Sequence, residues 1–121
     1  MYDIAIIGGG PAGLAAGLYG ARGGMDTVLL ENMLVGGQIT KTTQVDNYPG
    51  FPDGIDGFAI GTNMQKQAER FGLEIKRTGV DSVELEGEIK RLHCGREVIE
   101  AKAVIIATGA HPKKLRLDRE E

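Results

Sequence analysis

The residues with the clearest chemical potential are the glycines of a turn near the N-terminus. Gly8–Gly13 reads Gly-Gly-Gly-Pro-Ala-Gly and matches the pattern G-x-G-x-x-G. In this pattern the first glycine permits a tight turn, the second lets a pyrophosphate approach the backbone, and the third lets a helix pack closely on a strand. A helix that begins here presents free N–H groups and a partial positive charge to phosphates. The pattern predicts a dinucleotide site that includes Gly8, Gly10, Pro11, Ala12 and Gly13.

The segments on either side of the turn supply the context that this pattern needs. Tyr2–Ile7 is an apolar run that predicts a strand buried on both faces, and Pro11–Gly23 predicts a helix with proline in its first turn. Thr27–Glu31 predicts a second buried strand. Glu31 ends this strand and lies 18 residues beyond Gly13. A carboxylate there can accept hydrogen bonds from ribose hydroxyls and repels a 2′-phosphate, which favours FAD or NAD over NADP. A turn that is glycine-rich only for packing is the alternative, and this context disfavours it.

Composition excludes several classes of protein. The 121 residues include 14 basic and 17 acidic side chains, so the net charge of −3 provides no basic face for nucleic acid. No apolar run approaches the roughly 18 residues of a membrane-spanning helix. The single cysteine, Cys94, cannot form an intrachain disulfide or a cysteine-based zinc site alone. The absence of a leader-like N-terminal segment and the unpaired thiol together predict a cytoplasmic protein.

The rest of the chain predicts how the sheet is completed. The expected elements are a long loop at Asn32–Ile55, a helix at Gly57–Phe71, a short strand at Leu73–Lys76, a three-stranded antiparallel meander at Val80–Ala101 and a fully buried strand at Ala103–Ala107. These elements predict an α/β fold with a parallel sheet. A meander used as the crossover before the buried strand resembles the FAD domain of flavoproteins with two dinucleotide-binding domains. That resemblance implies a Rossmann-like, three-layer, FAD-binding domain that is incomplete at its C-terminal end. A loop as long as the expected one normally has a function.

Several short motifs after Glu31 resemble the bacterial thioredoxin reductases, which are class II pyridine nucleotide-disulfide oxidoreductases. The motifs are Gly36-Gly37-Gln38 with Thr40, Thr43 and Val45, then Asn47-Tyr48-Pro49-Gly50-Phe51, and Ala107-Thr108-Gly109. Tyr19–Arg22 on the first helix is also similar, and the resemblance runs from Tyr2 to about Leu117. It implies the FAD-binding part of a flavoprotein that passes electrons from NADPH through FAD to a dithiol such as that of thioredoxin.

The same resemblance implies how individual residues contact the cofactor. Gly36 and Gly37 would fold the backbone against the flavin diphosphate, Gln38 and Asn47 would hydrogen-bond the ribityl or isoalloxazine group, and Thr40 and Thr43 would lie near the flavin. The predicted set of cofactor contacts is completed by Asn32, Val80, Ala107, Thr108 and Gly109. No residue is predicted to be catalytic and none to bind a metal. The alternative for Asn47–Gly50 is an ordinary turn, which Asn, Pro and Gly also favour.

The parts of the family that carry its disulfide chemistry have no counterpart in this sequence. The family's C-x-x-C pair and NADPH site lie in a second domain, and a C-terminal segment completes its FAD domain. Residues 1–121 contain none of these, so we expect them to form the N-terminal portion of an FAD-binding domain that is inactive alone. We also expect weak FAD binding and self-association, because one sheet edge would be unpaired. For the intact protein the resemblance implies a homodimer that acts on a thioredoxin-like disulfide protein.

Three other functions stay open at this point. They are the flavoprotein subunit of an alkyl hydroperoxide reductase, a ferredoxin- or flavodoxin-linked relative, and a non-enzymatic nucleotide-binding module. Among single residues, Cys94 is predicted to be a structural thiol at a turn, and His111 a solvated loop residue. The apolar stripe from Ile60 to Phe71 is predicted to be core, and Asp118–Glu121 a solvated surface segment.

Overall fold

The computed structural model describes residues 1–110 of the chain. They contain two helices, six strands and one 3₁₀ helix. In chain order they are β1 (Tyr2–Ile7), α1 (Pro11–Arg22), β2 (Thr27–Leu30), the 3₁₀ helix (Gly37–Lys41), α2 (Gly57–Arg70), β3 (Glu74–Lys76), β4 (Ser82–Glu84), β5 (Lys90–Cys94) and β6 (Glu97–Ile106). The predictions for His111 and for Asp118–Glu121 fall outside these residues. Neither helix within residues 1–110 has the length and apolar character needed to cross a membrane.

The six strands form one sheet in the order β3-β2-β1-β6-β5-β4. β3, β2, β1 and β6 are parallel neighbours, whereas β6, β5 and β4 are antiparallel neighbours. The sequence predicts that the meander ends at Ala101 and that a separate strand follows, and this division is wrong. β6 is one ten-residue strand, because Ala101 pairs with Tyr2 of β1 on one side and with Lys90 of β5 on the other.

Two apolar clusters lie on opposite faces of the parallel strands. One cluster joins the sheet to the helices and contains Ile6, Leu14, Val35, Leu29, Ala68 and Leu73. The other joins the parallel strands to the antiparallel ones and contains Ala5, Val28, Leu30, Leu92, Cys94, Ile99 and Ala101. Adjacent residues such as Ala5 and Ile6 therefore point into different clusters, which is why β1 and β2 read as continuous apolar runs. The predicted three-layer α/β architecture is confirmed.

The end of α2 shows why its apolar stripe stops earlier than the sequence predicts. Gly72 has φ of +104°, and its N–H donates to the carbonyl of Glu69 while the N–H of Leu73 donates to the carbonyl of Ala68. These are the two hydrogen bonds of a Schellman motif, which ends the helix. Phe71 is consequently outside the helix and 38% exposed, with the Arg70 guanidinium 4.6 Å from its ring centroid. The prediction that Phe71 belongs to the core is wrong.

The second half of β6 departs from the prediction of a fully buried strand. Ile105 is 37% exposed and Ile106 is 60% exposed. β1 pairs with β6 as far as Ile106, but β5 pairs with β6 only from Glu97 to Ala101. Within residues 1–110, therefore, no strand lies beside the distal half of β6 on the side away from β1. The predicted unpaired sheet edge concerns this side of β6, and it stays a prediction.

Cys94 is the last residue of β5 and lies in the cluster between the parallel and antiparallel strands, where it is 5% exposed. Burial raises the pKa of its thiol, and the nearby carboxylates of Glu97 and Asp81 raise it further. A higher pKa means less thiolate at neutral pH, and thiolate is the reactive form. The structure therefore agrees with a structural thiol, although the turn begins at Gly95 rather than at Cys94 itself.

We expect residues 1–121, expressed alone, to self-associate through the open edge of β6. A long exposed apolar edge is a template for pairing with another chain, and a charged side chain placed on it blocks that pairing. Ile106→Lys should therefore lower the average mass measured by analytical ultracentrifugation over a range of concentrations. Met25→Lys, at an exposed apolar residue in the turn before β2, is the matched control. An equal effect of the two variants would show that the edge is not responsible.

We expect the Cys94 thiol to react slowly with a disulfide reagent at pH 8 in the folded protein. The raised pKa and the burial of the sulfur both reduce attack by the thiolate. The reaction should become much faster in urea concentrations that unfold the chain. Equal rates in the folded and the unfolded protein, followed by absorbance, would contradict a buried structural thiol.

Candidate functional site

A cleft of about 600 Å³ opens at the carboxyl ends of the parallel strands. β1 has β2 on one side and β6 on the other, so the connections from the middle of the sheet leave in opposite directions at this edge. Such a switch point is where open α/β sheets bind ligands. Hydrogen bonds hold the strand ends together, since the N–H of Gly8 donates to the carbonyl of Leu30 at 2.9 Å and the N–H of Ala107 donates to that of Ile7 at 2.8 Å.

Most of the predicted cofactor contacts line this one cleft although they are far apart in the sequence. Those in the lining are Gly8, Gly10, Pro11, Ala12, Glu31, Asn32, Gly37, Gln38, Thr40, Val80, Ala107, Thr108 and Gly109. The predicted contacts outside the lining are Gly13, Gly36, Thr43 and Asn47. The cleft thus brings together the glycine turn, the end of β2, the 3₁₀ helix, the segment after β3 and the end of β6.

Two glycines of the turn are needed for packing within the protein. Gly8 has φ of +114°, and a Cβ atom there would lie 2.1 Å from the carbonyl oxygen of Ala107. A Cβ atom on Gly13 would lie 1.9 Å from the carbonyl oxygen of Gly8. Both distances are far inside van der Waals contact, so any side chain would push β6 or α1 away from the turn. Gly13 acts from inside α1, which explains its absence from the cleft lining.

Gly10 differs from these two glycines, because no neighbouring atom excludes a side chain. A Cβ atom on Gly10 would have only the Cα of Gly37 within 4 Å, at 3.8 Å. Its φ of −78° is open to any residue, and Gly10 itself lines the cleft. The missing side chain therefore leaves room for a ligand rather than for the protein. No side chain caps the start of α1, and its first turn has no acidic residue, so the helix N-terminus is free to receive an anion.

The carboxylate of Glu31 is fixed by two backbone hydrogen bonds. One oxygen accepts from the N–H of Gly9 at 2.9 Å and the other from the N–H of Met33 at 3.0 Å. These contacts join the glycine turn to the start of the following loop. Each oxygen of a carboxylate can accept a second hydrogen bond, so the group keeps its capacity to bind hydroxyls of a ligand.

The segment after β2, which the sequence predicts to be one long loop, forms the wall of the cleft opposite β6. Gly36 has φ of +112° and its N–H donates to the carbonyl of Gly9 at 2.6 Å, so the loop folds directly onto the glycine turn. A Cβ atom on Gly37 would lie 2.8 Å from the Cα of Gly10. The 3₁₀ helix then follows, and the side-chain amide of Gln38 donates to the carbonyl of Ala110 across the mouth of the cleft.

Thr43 and Asn47 are exposed and lie away from the cleft lining. An isolated pair of hydrogen bonds explains the position of Asn47: Val45 and Ile55 exchange N–H to carbonyl bonds of 2.7 and 3.0 Å. This bridge closes off residues 46–54 as an arm that is separate from the 3₁₀ helix. Gly50, with φ of +102°, lies within the arm. The predicted contacts of Thr43 and Asn47 with a flavin stay predictions.

Several residues line the cleft that sequence reasoning did not select. They are Ile7, Leu30, Met33, Leu34, Ile39, Lys41, Thr78, Gly79 and Ala110. Ile7 and Leu30 end parallel strands, and Thr78 and Gly79 follow one, so the rule that ligands bind at carboxyl ends of strands could have found them. No sequence motif marks Lys41. Among the lining residues, Glu31 and Lys41 are the two with charged side chains.

Among the other titratable groups, Arg77 lies at the border of the cleft, where its guanidinium donates to the carbonyl of the lining residue Met33 at 3.3 Å. Cys94 is in the core, and the imidazole of His93 pairs with the carboxylate of Glu84 at 2.5 Å on the exposed β4–β5 hairpin. Within residues 1–110 no three side chains of His, Cys, Asp or Glu are grouped closely enough to hold a metal ion. The uncapped N-terminus of α1 and the fixed carboxylate of Glu31 are instead the groups of the cleft suited to binding phosphate and hydroxyl groups.

Comparisons with known proteins agree with this description of the fold. The family model described as pyridine nucleotide-disulphide oxidoreductase matches residues 2–121. The chain is 51% identical over 113 residues to a thioredoxin reductase of Peptoclostridium litorale, covering 93% of this chain and 36% of that protein. It is 41% identical over 121 residues to a thioredoxin reductase of Mycolicibacterium smegmatis, covering 100% of this chain and 39% of that protein.

A solved structure gives the same result in three dimensions. The thioredoxin reductase of Lactococcus lactis superposes with a TM-score of 0.92 at 38% identity, over 97% of this chain and 38% of that one. The chain therefore spans between a third and two fifths of the length of these relatives. The match over residues 2–121 shows that the chain belongs to the pyridine nucleotide-disulphide oxidoreductase family, in which it is similar to the N-terminal part of thioredoxin reductases.

Proposed function

We propose that residues 1–121 form the N-terminal portion of an FAD-binding domain, and that the intact protein is a flavoprotein disulfide reductase of the thioredoxin reductase type. The observation that carries this proposal is the space beside Gly10. Protein atoms do not explain the lack of a side chain there, whereas a phosphate at the N-terminus of α1 does. The relatives named thioredoxin reductase support FAD as the dinucleotide.

The order of the lining residues supports a direction for the cofactor in the cleft. The diphosphate would lie at Gly10, Pro11 and Ala12, where the helix N-terminus offers N–H groups. The ribose of the adenosine would lie at Glu31, with Asn32 and Val80 on the same side of the glycine turn. The flavin would lie toward the 3₁₀ helix and the end of β6, beside Gln38, Thr40 and Ala107–Gly109. A cleft of about 600 Å³ is within the usual range for sites of this kind.

FAD supplies the hydride and electron transfer when it is bound, and the protein supplies binding, orientation and electrostatics. The residues that line the cleft would hold the diphosphate and ribose and place the flavin at the mouth. We propose that in the intact protein electrons pass from NADPH to a dithiol of a thioredoxin-like partner, and that the intact protein is a homodimer. Residues 1–121 have one cysteine, and it is buried, so we expect them to be inactive alone.

We expect Gly10→Val in the full-length natural chain to weaken FAD binding about tenfold to hundredfold, because the new side chain would occupy the place of the diphosphate. Apoprotein stability should change little, since the backbone at Gly10 accepts any residue. Gly13→Val is the contrasting variant, because its side chain would clash inside the protein and lower the melting temperature. Fluorescence titration with FAD and thermal unfolding of the apoproteins separate the two effects. Unchanged FAD affinity in Gly10→Val would contradict a diphosphate at this position.

We expect the full-length natural chain to reduce a thioredoxin disulfide with NADPH as the donor. The measurement is the NADPH-dependent release of thioredoxin thiols, with residues 1–121 alone as the inactive control. Reduction that requires reduced ferredoxin or flavodoxin instead would replace the proposed donor. Bound FAD with no disulfide reduction from any of these donors would contradict the reductase and leave a nucleotide-binding module.

A further inference from the structure

Lys41 is the one residue with a cationic side chain in the lining of the cleft, as far as residues 1–110 describe it. It is the last residue of the 3₁₀ helix and it is exposed. Within the described residues its ammonium group forms no ion pair, unlike Lys76, which pairs with Glu97, and Lys102, which pairs with Asp3. Nothing in the described protein therefore neutralises the charge of Lys41.

The 3₁₀ helix that carries Lys41 begins against the glycine turn. The Cα of Gly37 lies 3.8 Å from the place where a Cβ of Gly10 would be, and the N–H of Gly36 donates to the carbonyl of Gly9. A 3₁₀ helix rises about 2 Å per residue, so four residues separate Gly37 from Lys41 by about 8 Å along the axis. The flexible four-carbon stem of lysine can bring its ammonium group back over part of this distance.

The charge balance of the cleft gives this lysine a specific consequence. Without Lys41, the side chains of the lining would have a net charge of −1, from Glu31. The N-terminus of α1 contributes only about half a positive charge. A dinucleotide brings a diphosphate with negative charge on both phosphates, and Glu31 repels it. Lys41 is thus the one full positive charge in the described lining, whereas the Arg77 guanidinium lies outside the lining and donates to the carbonyl of Met33 at 3.3 Å.

We propose that Lys41 supplies the positive charge that attracts the diphosphate of the dinucleotide into this cleft, acting from the cleft wall rather than by direct contact. The inference rests on the proposed FAD-binding function and adds to it a residue that no sequence motif indicates. It implies that affinity for any ligand with the adenosine diphosphate group depends on Lys41 and on ionic strength. It also implies that affinity for riboflavin, which has no phosphate, does not depend on Lys41.

The test compares Lys41→Gln with Lys66→Gln in the full-length natural chain without cofactor. Lys66 is exposed on α2 and does not line the cleft, so its substitution makes the same change in charge away from the site. Each protein is titrated with FAD, with ADP and with riboflavin at about 20 mM and at about 500 mM salt. These concentrations are about one-fifth and about five times 0.1 M, the ionic strength at which the screening length is about 10 Å. Thermal unfolding of each apoprotein verifies that the variants are folded, and Lys41→Arg tests whether charge alone restores binding.

We expect Lys41→Gln to weaken FAD and ADP binding by the same factor, about fivefold to tenfold at low salt. The factor should shrink at high salt because screening reduces the attraction between the charges. Lys66→Gln should behave as the unaltered protein does, and Lys41→Arg should bind nearly as tightly. Riboflavin binding should not change in any variant.

Three other outcomes are informative, and each would contradict either the role of Lys41 or the proposed function. If the unaltered protein binds FAD and Lys41→Gln binds it equally well, the role of Lys41 is wrong and the proposed function stands. If Lys41→Gln weakens FAD binding but not ADP binding, its charge acts on the flavin, and the assignment to the diphosphate is wrong. If the unaltered protein binds neither FAD nor ADP, the proposed function itself fails, and the inference about Lys41 fails with it.

Discussion

The close approach of three strand ends at the glycine turn is the constraint on which the rest of the site depends. Gly8 bonds to the carbonyl of Leu30 and leaves no room for a Cβ atom beside Ala107, so β1, β2 and β6 end at nearly the same level. Gly13 allows α1 to start directly above the carbonyl of Gly8. The N-terminus of α1 therefore points into the space between the strand ends. A side chain at either glycine would separate these elements and open the floor of the cleft.

The loop after β2 depends on the same turn. Gly36 and Gly37 both have positive φ and both contact the turn, Gly36 through a hydrogen bond to Gly9 and Gly37 through van der Waals contact with Gly10. Left-handed backbone at two successive residues is available to glycine at little cost. It directs the 3₁₀ helix along the wall of the cleft, where the hydroxyl of Thr40 donates to the carbonyl of Gly37 at 2.7 Å. The wall is thus an extension of the glycine turn rather than a separate structure.

The two faces of the parallel sheet have different partners, and this arrangement distinguishes the fold from a simple repeat of strand and helix. The helices cover one face, and the antiparallel strands cover the other through Leu92, Cys94 and Ile99. An ion pair of 2.7 Å between Lys76 and Glu97 joins β3 to the start of β6 across this second layer. β6 serves both layers, since its first half pairs with β5 and its second half with β1. The exposed second half of β6 is a consequence of that division.

The sequence by itself determined the local elements, because their signals are local: the apolar runs of β1 and β2, the proline at the start of α1 and the glycines that need positive φ or close packing. It also predicted a dinucleotide site, since the turn, the helix and Glu31 lie within one strand-helix-strand unit. Only the tertiary structure decided that β6 is continuous, that Ile106 is exposed, and that Asn47 lies outside the cleft lining while Lys41 lies within it. These properties depend on which strand lies beside another and on where a loop folds back. Such contacts join residues far apart in the chain, and no periodicity or spacing within a short segment records them.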